Sequence, residues 1–197
     1  MHMLRSAHFC LQATVALAFL TIAPATIISA QAASPSSSDQ KVLSDFSKEA
    51  RDYISKEHLL AANKMKPTSD VSKLEQQRKQ LRDAVQQSRP NAKQGDFFTR
   101  DAARIFRKLL AGVLNGPDSA KIKSSLNHAE PGAPANFRVN AEFPNANGQP
   151  IQSVPPTVLK VLPALPKEME YRIAGNTLAL RDSSANMVVD FLPDALP

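Results

Sequence analysis

Apolar and polar residues alternate with two different periods along this chain. In the first half, apolar positions recur every three or four residues, a spacing typical of amphipathic helices. One such run follows Asp39 and continues to about Asn63, before Lys66-Pro67 stops it. A second run begins after Thr68-Ser69-Asp70, whose side-chain oxygens can cap a helix, and it ends at Arg89-Pro90. The apolar stripe of this second helix is narrow, so we expect it to pack along a thin seam.

The strongest helical pattern begins at residue 98. Apolar positions gather on one side of the predicted helix and basic positions on the other. The apolar set is Phe98, Ala102, Ile105, Phe106, Leu109 and Val113, and the basic set is Arg100, Arg104, Arg107 and Lys108. Asn115-Gly116-Pro117 ends this helix and starts a shorter fourth one, in which Ile122 and Leu126 face inward.

The period changes to two in the second half of the chain. Frequent prolines between residues 117 and 166 exclude long helices there. A strand is predicted at residues 136–143, where Phe137, Val139 and Ala141 alternate with polar residues. Pro155-Pro156 is expected to open one helical turn that continues through Leu162.

The C-terminal segment predicts a three-stranded antiparallel meander. Gly175-Asn176 forms a two-residue turn, which sets Ile173 opposite Leu178, Tyr171 opposite Leu180, and Glu170 opposite Arg181. A loop at residues 183–186 then sets Val189 opposite Leu180 and Phe191 opposite Leu178. In this register the three strands share one buried face.

These elements predict an α+β protein, with three to four helices followed by an antiparallel sheet of three to four strands. We expect the third helix to pack on the sheet. The predicted organisation is a signal peptide at 1–32, a flexible Ser/Pro segment at 33–38, a polar helical hairpin at 39–94, and an α+β core at 95–197 with its meander at 168–192. The pattern leaves open whether residues 33–94 pack on the core or form a mobile arm.

The first 32 residues predict a secretory signal peptide. Apart from His2 and His8, Arg5 is the only residue there that can carry a charge, and an apolar stretch and Ala30-Gln31-Ala32 follow it. We therefore expect cleavage after Ala32 and a product in the periplasm or outside the cell. Cys10 is expected to leave with the signal, which excludes disulfides, thiol catalysis and thiolate metal sites from the mature chain. No apolar run in the mature chain approaches the length of a transmembrane segment.

The formal net charge of +6 is unevenly distributed. Residues 33–127 carry an excess of Lys and Arg, while residues 128–197 are mildly acidic. The basic set on the third helix (Arg100, Arg104, Arg107 and Lys108, the "basic ridge") is a candidate site for a polyanion or a lipid headgroup. Its alternative interpretation is the solvated back of an amphipathic helix. Nucleic acid is not expected, because no exposed aromatic residues are interleaved for base stacking.

Three aspartates and two histidines are the remaining candidates for chemistry. Asp182 lies at a loop entrance, where it can accept hydrogen bonds from backbone amides. Asp190 is placed on the polar face near Arg172, and Asp194 in a terminal turn, so none of the three is expected to be buried. His58 and His128 show no metal-ligand spacing and are expected to be exposed. Catalytic residues, a metal and a cofactor are therefore not predicted, although an enzyme remains possible.

Three segments resemble a family of small exported bacterial proteins. They are GDFFTRDAARIFRKLL (95–110), NGPDSAKIKSSL (115–126) and VPPTVLKVLPALPKEMEYRIAGNTLALRDSSANMVVDFLPDAL (154–196). The resemblance covers roughly residues 95–196, and the ending is its most distinctive part. It implies export and a bacterial source, and it implies no activity.

The first functional hypothesis is a non-catalytic binding module of the cell envelope, which contacts another protein. One alternative is an exported hydrolase that uses carboxylates brought together by the fold. Another is a polyanion-binding protein that acts through the basic face of the helix at 95–115.

Overall fold

The computed structural model describes residues 35–59, 67–127, 136–144 and 152–196. Its elements confirm the predicted α+β class. In chain order they are α1 (Ser37–Glu57), α2 (Val71–Ser88), α3 (Arg100–Leu114), α4 (Ser119–Asn127), β1 (Gln152–Ser153), α5 (Pro156–Leu159), β2 (Met169–Ala174), β3 (Thr177–Asp182) and β4 (Met187–Leu192). The strands form one antiparallel sheet in the order β1-β2-β3-β4.

Side-chain caps set the starts of the first three helices. Ser36 accepts a hydrogen bond from the backbone of Asp39, Asp70 caps α2, and Thr99 caps α3. The prediction that α1 continues to about residue 63 is wrong, because the helix ends at Glu57 and His58 is its C-cap. Residues 60–63 of the predicted helix lie outside the described residues.

The turn between β2 and β3 confirms the predicted register. Ile173 lies opposite Leu178, and Tyr171 lies opposite Leu180. Glu170 lies opposite Arg181, whose guanidinium donates to the glutamate at 2.7 Å. Gly175 has a φ of +58°, a backbone conformation that favours glycine and closes the two-residue turn.

The predicted register between β3 and β4 is wrong, because β4 contains a bulge. Arg181 lies opposite Val188 as the loop at 183–186 requires, but Leu180 lies opposite Asp190 and Val189 is the extra residue. In a bulge, two successive residues of one strand lie opposite a single residue of the neighbouring strand. The side chains that follow then point to the opposite face of the sheet. Asp190 thereby moves from the expected outer face to the buried face of the sheet, and Phe191 comes to lie opposite Ala179.

The main hydrophobic core lies between the inner face of the sheet and helices α1, α2 and α3. The ring of Phe106 on α3 lies 6.1 Å from that of Tyr171 on β2, and 4.8 Å from that of Phe46 on α1. Leu81 and Val85 are the buried residues of α2, which confirms its narrow seam. Residues from α1, α2 and the sheet belong to the same buried cluster, so the first two helices pack on the core.

The buried face of α3 differs slightly from the prediction. Leu110 and Leu114 are buried, whereas Val113 is only partly buried against the core. The described residues belong to one compact unit, Ala32–Pro197. Within the part of the chain that the structure describes, no helix combines the length and apolarity needed to cross a membrane.

The strand predicted at residues 136–143 is not formed. Only Glu142 makes an isolated bridge, with Met187 of β4. Asn140 has a φ of +61°, which interrupts the extended backbone that a strand needs. Phe137 and Phe143 are nonetheless buried, because they cover the outer face of the sheet at Ala179 and Val188.

Candidate functional site

Asp182 is a fully buried carboxylate at the end of β3, with 0% exposure. Its Oδ1 accepts hydrogen bonds from the backbone N–H groups of Ser184 and Ala185, both at 2.9 Å. Its Oδ2 accepts from the Tyr53 hydroxyl at 3.0 Å and lies 2.8 Å from Nε2 of His58. The predicted backbone contacts are confirmed, but the expectation that Asp182 is not buried is wrong.

The two side chains that contact Asp182 belong to Tyr53 of α1 and to His58, the residue that follows this helix. Phe46, Ala50 and Tyr53 follow one another at helical spacing on the buried side of α1, so the Tyr53 ring enters the core. Burial and the neighbouring Asp182 carboxylate raise the pKa of the Tyr53 hydroxyl, which therefore keeps its proton and donates it. His58 is the residue just beyond the helix, and its side chain retains 18% exposure. The expectation that His58 is exposed is therefore wrong.

The contact with Asp182 defines which nitrogen of His58 carries a proton. A carboxylate oxygen only accepts hydrogen bonds, so the nitrogen that faces it, Nε2, must be the donor. In the neutral imidazole the other nitrogen, Nδ1, then holds the free lone pair. His58 is thus fixed in one tautomer by a buried partner, while its side chain as a whole stays partly exposed.

Other polar groups gather around this contact where the last turns of α1 and α2 meet. The Ser88 hydroxyl donates to the buried Glu57 carboxylate, and the ammonium of Lys56 lies 3.6 Å from the same carboxylate. The Arg89 guanidinium lies 5.2 Å from the centre of the Tyr53 ring, a cation–π geometry. We call the set Tyr53, Glu57, His58, Ser88, Arg89 and Asp182 the polar cluster.

Asp190 is also fully buried, but in a different environment. Its carboxylate accepts from the backbone N–H groups of Gly95, Phe97 and Phe98 at 2.8–3.2 Å, and from that of Phe191 at 2.8 Å. Gly95 has a φ of +90°, which lets the loop before α3 turn its N–H groups toward the carboxylate. Burial raises the pKa of Asp190, and these hydrogen bonds oppose the shift without cancelling it. The predicted position on the polar face is wrong because of the bulge in β4.

The basic ridge of α3 is largely engaged within the fold. Arg104 and Lys108 both approach the carboxylate of Asp39, at 3.3 and 3.7 Å. Burial disfavours the charged form of Asp39, but hydrogen bonds from Arg104 and Ser36 outweigh it, so the pKa is lowered. Arg107 instead donates to the carbonyl oxygens of residues 193 and 194, at 2.9 and 3.0 Å. Arg100 is exposed.

The remaining sequence candidates form no site in the described residues. Asp194 is exposed in the terminal turn, as predicted, and accepts a hydrogen bond from Asn176 at 2.7 Å. His128 lies outside the described residues. No group of three or more His, Cys, Asp or Glu side chains suited to a metal occurs within ranges 35–59, 67–127, 136–144 and 152–196.

Sequence reasoning missed the polar cluster because its members come from separate segments. Tyr53 and Asp182 are 129 residues apart in the chain, and His58 and Asp182 are 124 apart. The available signal was the placement of Tyr53 on the apolar stripe of α1, since a buried tyrosine hydroxyl usually finds a polar partner.

Comparisons with protein-family models, with curated proteins and with solved structures gave no match for this chain. The function of the chain is therefore inferred from its residues and their geometry.

Proposed function

We propose that this chain is an exported bacterial protein of the cell envelope that binds a protein partner through the first half of α2, residues 71–80. The observation that supports this is the exposure of that segment. None of its residues is buried, and Val71 has 72% exposure. Leu81 and Val85 in the second half of the same helix are buried in the core. Because both halves belong to one continuous helix, this attachment fixes the orientation of the first half.

Local interactions stabilise this projecting segment without help from the core. Asp70 caps the helix through the N–H groups of Ser72 and Lys73. Ion pairs join Glu75 to Arg78 at 2.6 Å and Lys79 to Asp83 at 2.7 Å. Such pairs at helical spacing each add a few tenths of a kcal/mol. A preformed helix whose side chains the core does not use is suited to contact another protein, because little ordering cost remains on binding.

Support for export comes from the sequence of the first 32 residues. A basic start, an apolar stretch and Ala30-Gln31-Ala32 together are typical of a cleaved signal peptide. The resemblance of residues 95–196 to exported bacterial proteins agrees with this. Sequencing the N-terminus of the protein recovered from its native envelope tests this part, and a first residue of Ala33 is expected.

Hydrolysis by a pair of carboxylates receives less support from the geometry. Asp182 and Asp190 have no exposed surface, and each carboxylate is surrounded by hydrogen-bonding groups of the protein itself. A catalytic carboxylate must contact substrate or a proton in transit, and groups enclosed in this way are poorly placed to do so. Binding of a polyanion is also less favoured, because Arg104, Arg107 and Lys108 already have partners within the fold.

The binding proposal is tested by cross-linking the protein in its native envelope and identifying captured proteins by mass spectrometry. The test variant combines Val71→Ser with Lys79→Ala on the projecting segment. The matched control combines Leu159→Ser with Lys121→Ala, which also removes one exposed apolar side chain and one exposed lysine from described surfaces elsewhere.

One dominant partner that is captured by the parent and the control, but lost from the test variant, would support the proposal. Equal capture by both variants would contradict the assignment to residues 71–80, and capture of no partner by the parent would contradict the binding function itself. Repeating the capture at high salt separates a polyanion from a protein partner, because polyanion binding through Arg and Lys weakens steeply with salt.

A further inference from the structure

We propose that His58 is a general base that activates a water molecule for the hydrolysis of a carboxylic ester, with Asp182 as its positioning residue. This activity lies outside the proposed binding function and does not depend on it. It rests on the geometry of the polar cluster, in which one imidazole is oriented by a buried carboxylate and still reaches solvent.

The orientation of the imidazole is the first requirement of such a base. Oδ2 of Asp182 lies 2.8 Å from Nε2 of His58, so Nε2 carries the proton and Nδ1 is the basic atom. Asp182 is itself held by the Tyr53 hydroxyl and by the N–H groups of Ser184 and Ala185. A carboxylate fixed by these groups can hold the ring in place and stabilise the imidazolium that forms when Nδ1 takes a proton.

Access is the second requirement. The His58 side chain retains 18% exposure while Asp182 has none, so solvent contacts the histidine side chain but not the carboxylate. Within the described residues, no hydroxyl group makes a hydrogen bond to Nδ1 of His58. The nucleophile is therefore assigned to water rather than to a serine.

The reaction consumes only the ester and one water molecule. Nδ1 takes a proton from water as the water oxygen forms a bond to the ester carbonyl carbon. The resulting tetrahedral intermediate breaks its bond to the alcohol oxygen, which takes the proton back from the imidazolium. The products are a carboxylic acid and an alcohol, and His58 is returned to its starting state. An ester is favoured over an amide because an alcohol is the easier group to expel.

The test measures steady-state hydrolysis of p-nitrophenyl acetate by the purified mature chain at neutral pH. The parent is expected to release far more nitrophenol molecules than the thirteen lysines and one N-terminal amine of the mature chain could take up, which excludes simple acylation of amines. His58→Gln should lower kcat/KM by about a hundredfold, within the usual contribution of a general base. The matched control is His128→Gln, which changes the other histidine of the mature chain and should stay within about twofold of the parent, since no base is assigned to it.

Asp182→Asn tests whether Asp182 positions the His58 imidazole for catalysis or only stabilises the fold. The asparagine amide would donate to Nε2, which forces the imidazole proton onto Nδ1 and removes the basic lone pair. We expect kcat to fall by about a hundredfold with KM unchanged, in a protein that circular dichroism shows to be folded. If this variant does not fold, the pair His58→Gln and His128→Gln decides the question alone.

Two results would overturn the proposal. One is a parent that hydrolyses the ester no faster than an equal concentration of free imidazole. The other is a folded His58→Gln variant whose kcat/KM stays within about twofold of the parent, since the general base would then contribute nothing. Neither result bears on partner capture by α2, so failure of this activity would leave the binding proposal unaffected.

Discussion

Asp182 and Asp190 lie on adjacent strands, and both are fully buried, yet they are held in different ways. Asp190 is surrounded by backbone N–H groups, which can only donate. Asp182 combines two backbone N–H groups with a tyrosine hydroxyl and a histidine, which can donate or accept. Burial alone therefore does not define the role of a carboxylate. The hydrogen-bonding partners determine whether the site can accommodate an amide in place of the carboxylate.

The two carboxylates also fasten different parts of the fold. Asp190 joins β4 to the loop that leads into α3, through the N–H groups of Gly95, Phe97 and Phe98. Asp182 joins the end of β3 to the last turn of α1, through Tyr53 and His58. The first region is a fixed structural attachment, and the second holds a partly exposed histidine against a buried carboxylate.

Asp190→Asn is expected to have the largest effect on stability. The amide that replaces one carboxylate oxygen is a donor, and it would face backbone donors that cannot reverse their role. We expect the free energy of unfolding to fall by about 3–4 kcal/mol, because the Phe191 N–H loses its acceptor when the amide nitrogen replaces Oδ1, and the buried NH2 group then faces only donors. Urea unfolding followed by circular dichroism at pH 7 measures this. Asp194→Asn is the control, because Asp194 is exposed, and it should change the value by less than about 0.5 kcal/mol.

Asp182→Asn is expected to be the milder of the two changes. Its remaining oxygen can still accept from Ser184 and Ala185, while its amide donates to the Tyr53 oxygen and to Nε2 of His58. Residue 182 keeps its four contacts, but they lose their charge and the Tyr53 hydroxyl proton loses its acceptor there, which predicts a loss of about 1.5 kcal/mol. The same urea titration gives the value. A loss of about 3 kcal/mol or more would contradict the idea that these side-chain partners adapt.

Tyr53→Phe measures how much the hydrogen bond from the Tyr53 hydroxyl to Asp182 contributes to stability. The change removes one donor and leaves the aromatic ring that contacts Arg89. We expect a loss of about 1 kcal/mol, since His58 and two backbone N–H groups remain on the carboxylate. The phenol absorbance in a pH titration of the parent provides a second check, because the raised pKa predicts that Tyr53 ionises only as the protein unfolds. Ionisation of both tyrosines near pH 10 in the folded parent would contradict the described contact.

The dependence of stability on pH is the smallest predicted effect, and it has opposite signs at two aspartates. The pKa of Asp190 is raised above its ordinary 3.8, so the charge on Asp190 lowers the stability of the folded protein above the folded pKa. Protonation of Asp190 in acid removes this loss of stability. The pKa of Asp39 is lowered, so its charge adds stability above pH 3.8, and this is lost as the pH falls through the lower folded value. Between pH 7 and pH 3, the loss caused by Asp190→Asn should grow, while that caused by Asp39→Asn should shrink. Parallel trends in the two variants would contradict this.

The β2–β3 hairpin shows what could be predicted from the sequence. Gly175-Asn176 is a local turn signal, and the alternation of Tyr171 and Ile173 with polar residues sets the register. The cap at Asp70 and the thin seam of α2 were predictable for the same reason, because neighbouring residues determine them.

The burial of the two aspartates could not be predicted in this way. The bulge at Val189 carries no distinct residue signature, and it alone moves Asp190 to the inner face. Three of the donors that then hold Asp190 are backbone N–H groups more than ninety residues away, and every non-proline residue has one. Tyr53 and His58 reach Asp182 only after α1 packs on the sheet, so their contact is a property of the tertiary fold.

The most direct test of this account compares Asp190→Asn with Asp182→Asn in one urea titration at pH 7. Both changes replace a fully buried carboxylate with the same amide, so the chemical change and the extent of burial are matched. We predict that the free energy of unfolding falls by about 2 kcal/mol more for Asp190→Asn, because its donors cannot reverse their role. Equal losses, or a larger loss for Asp182→Asn, would contradict the distinction between a fixed and an adaptable carboxylate.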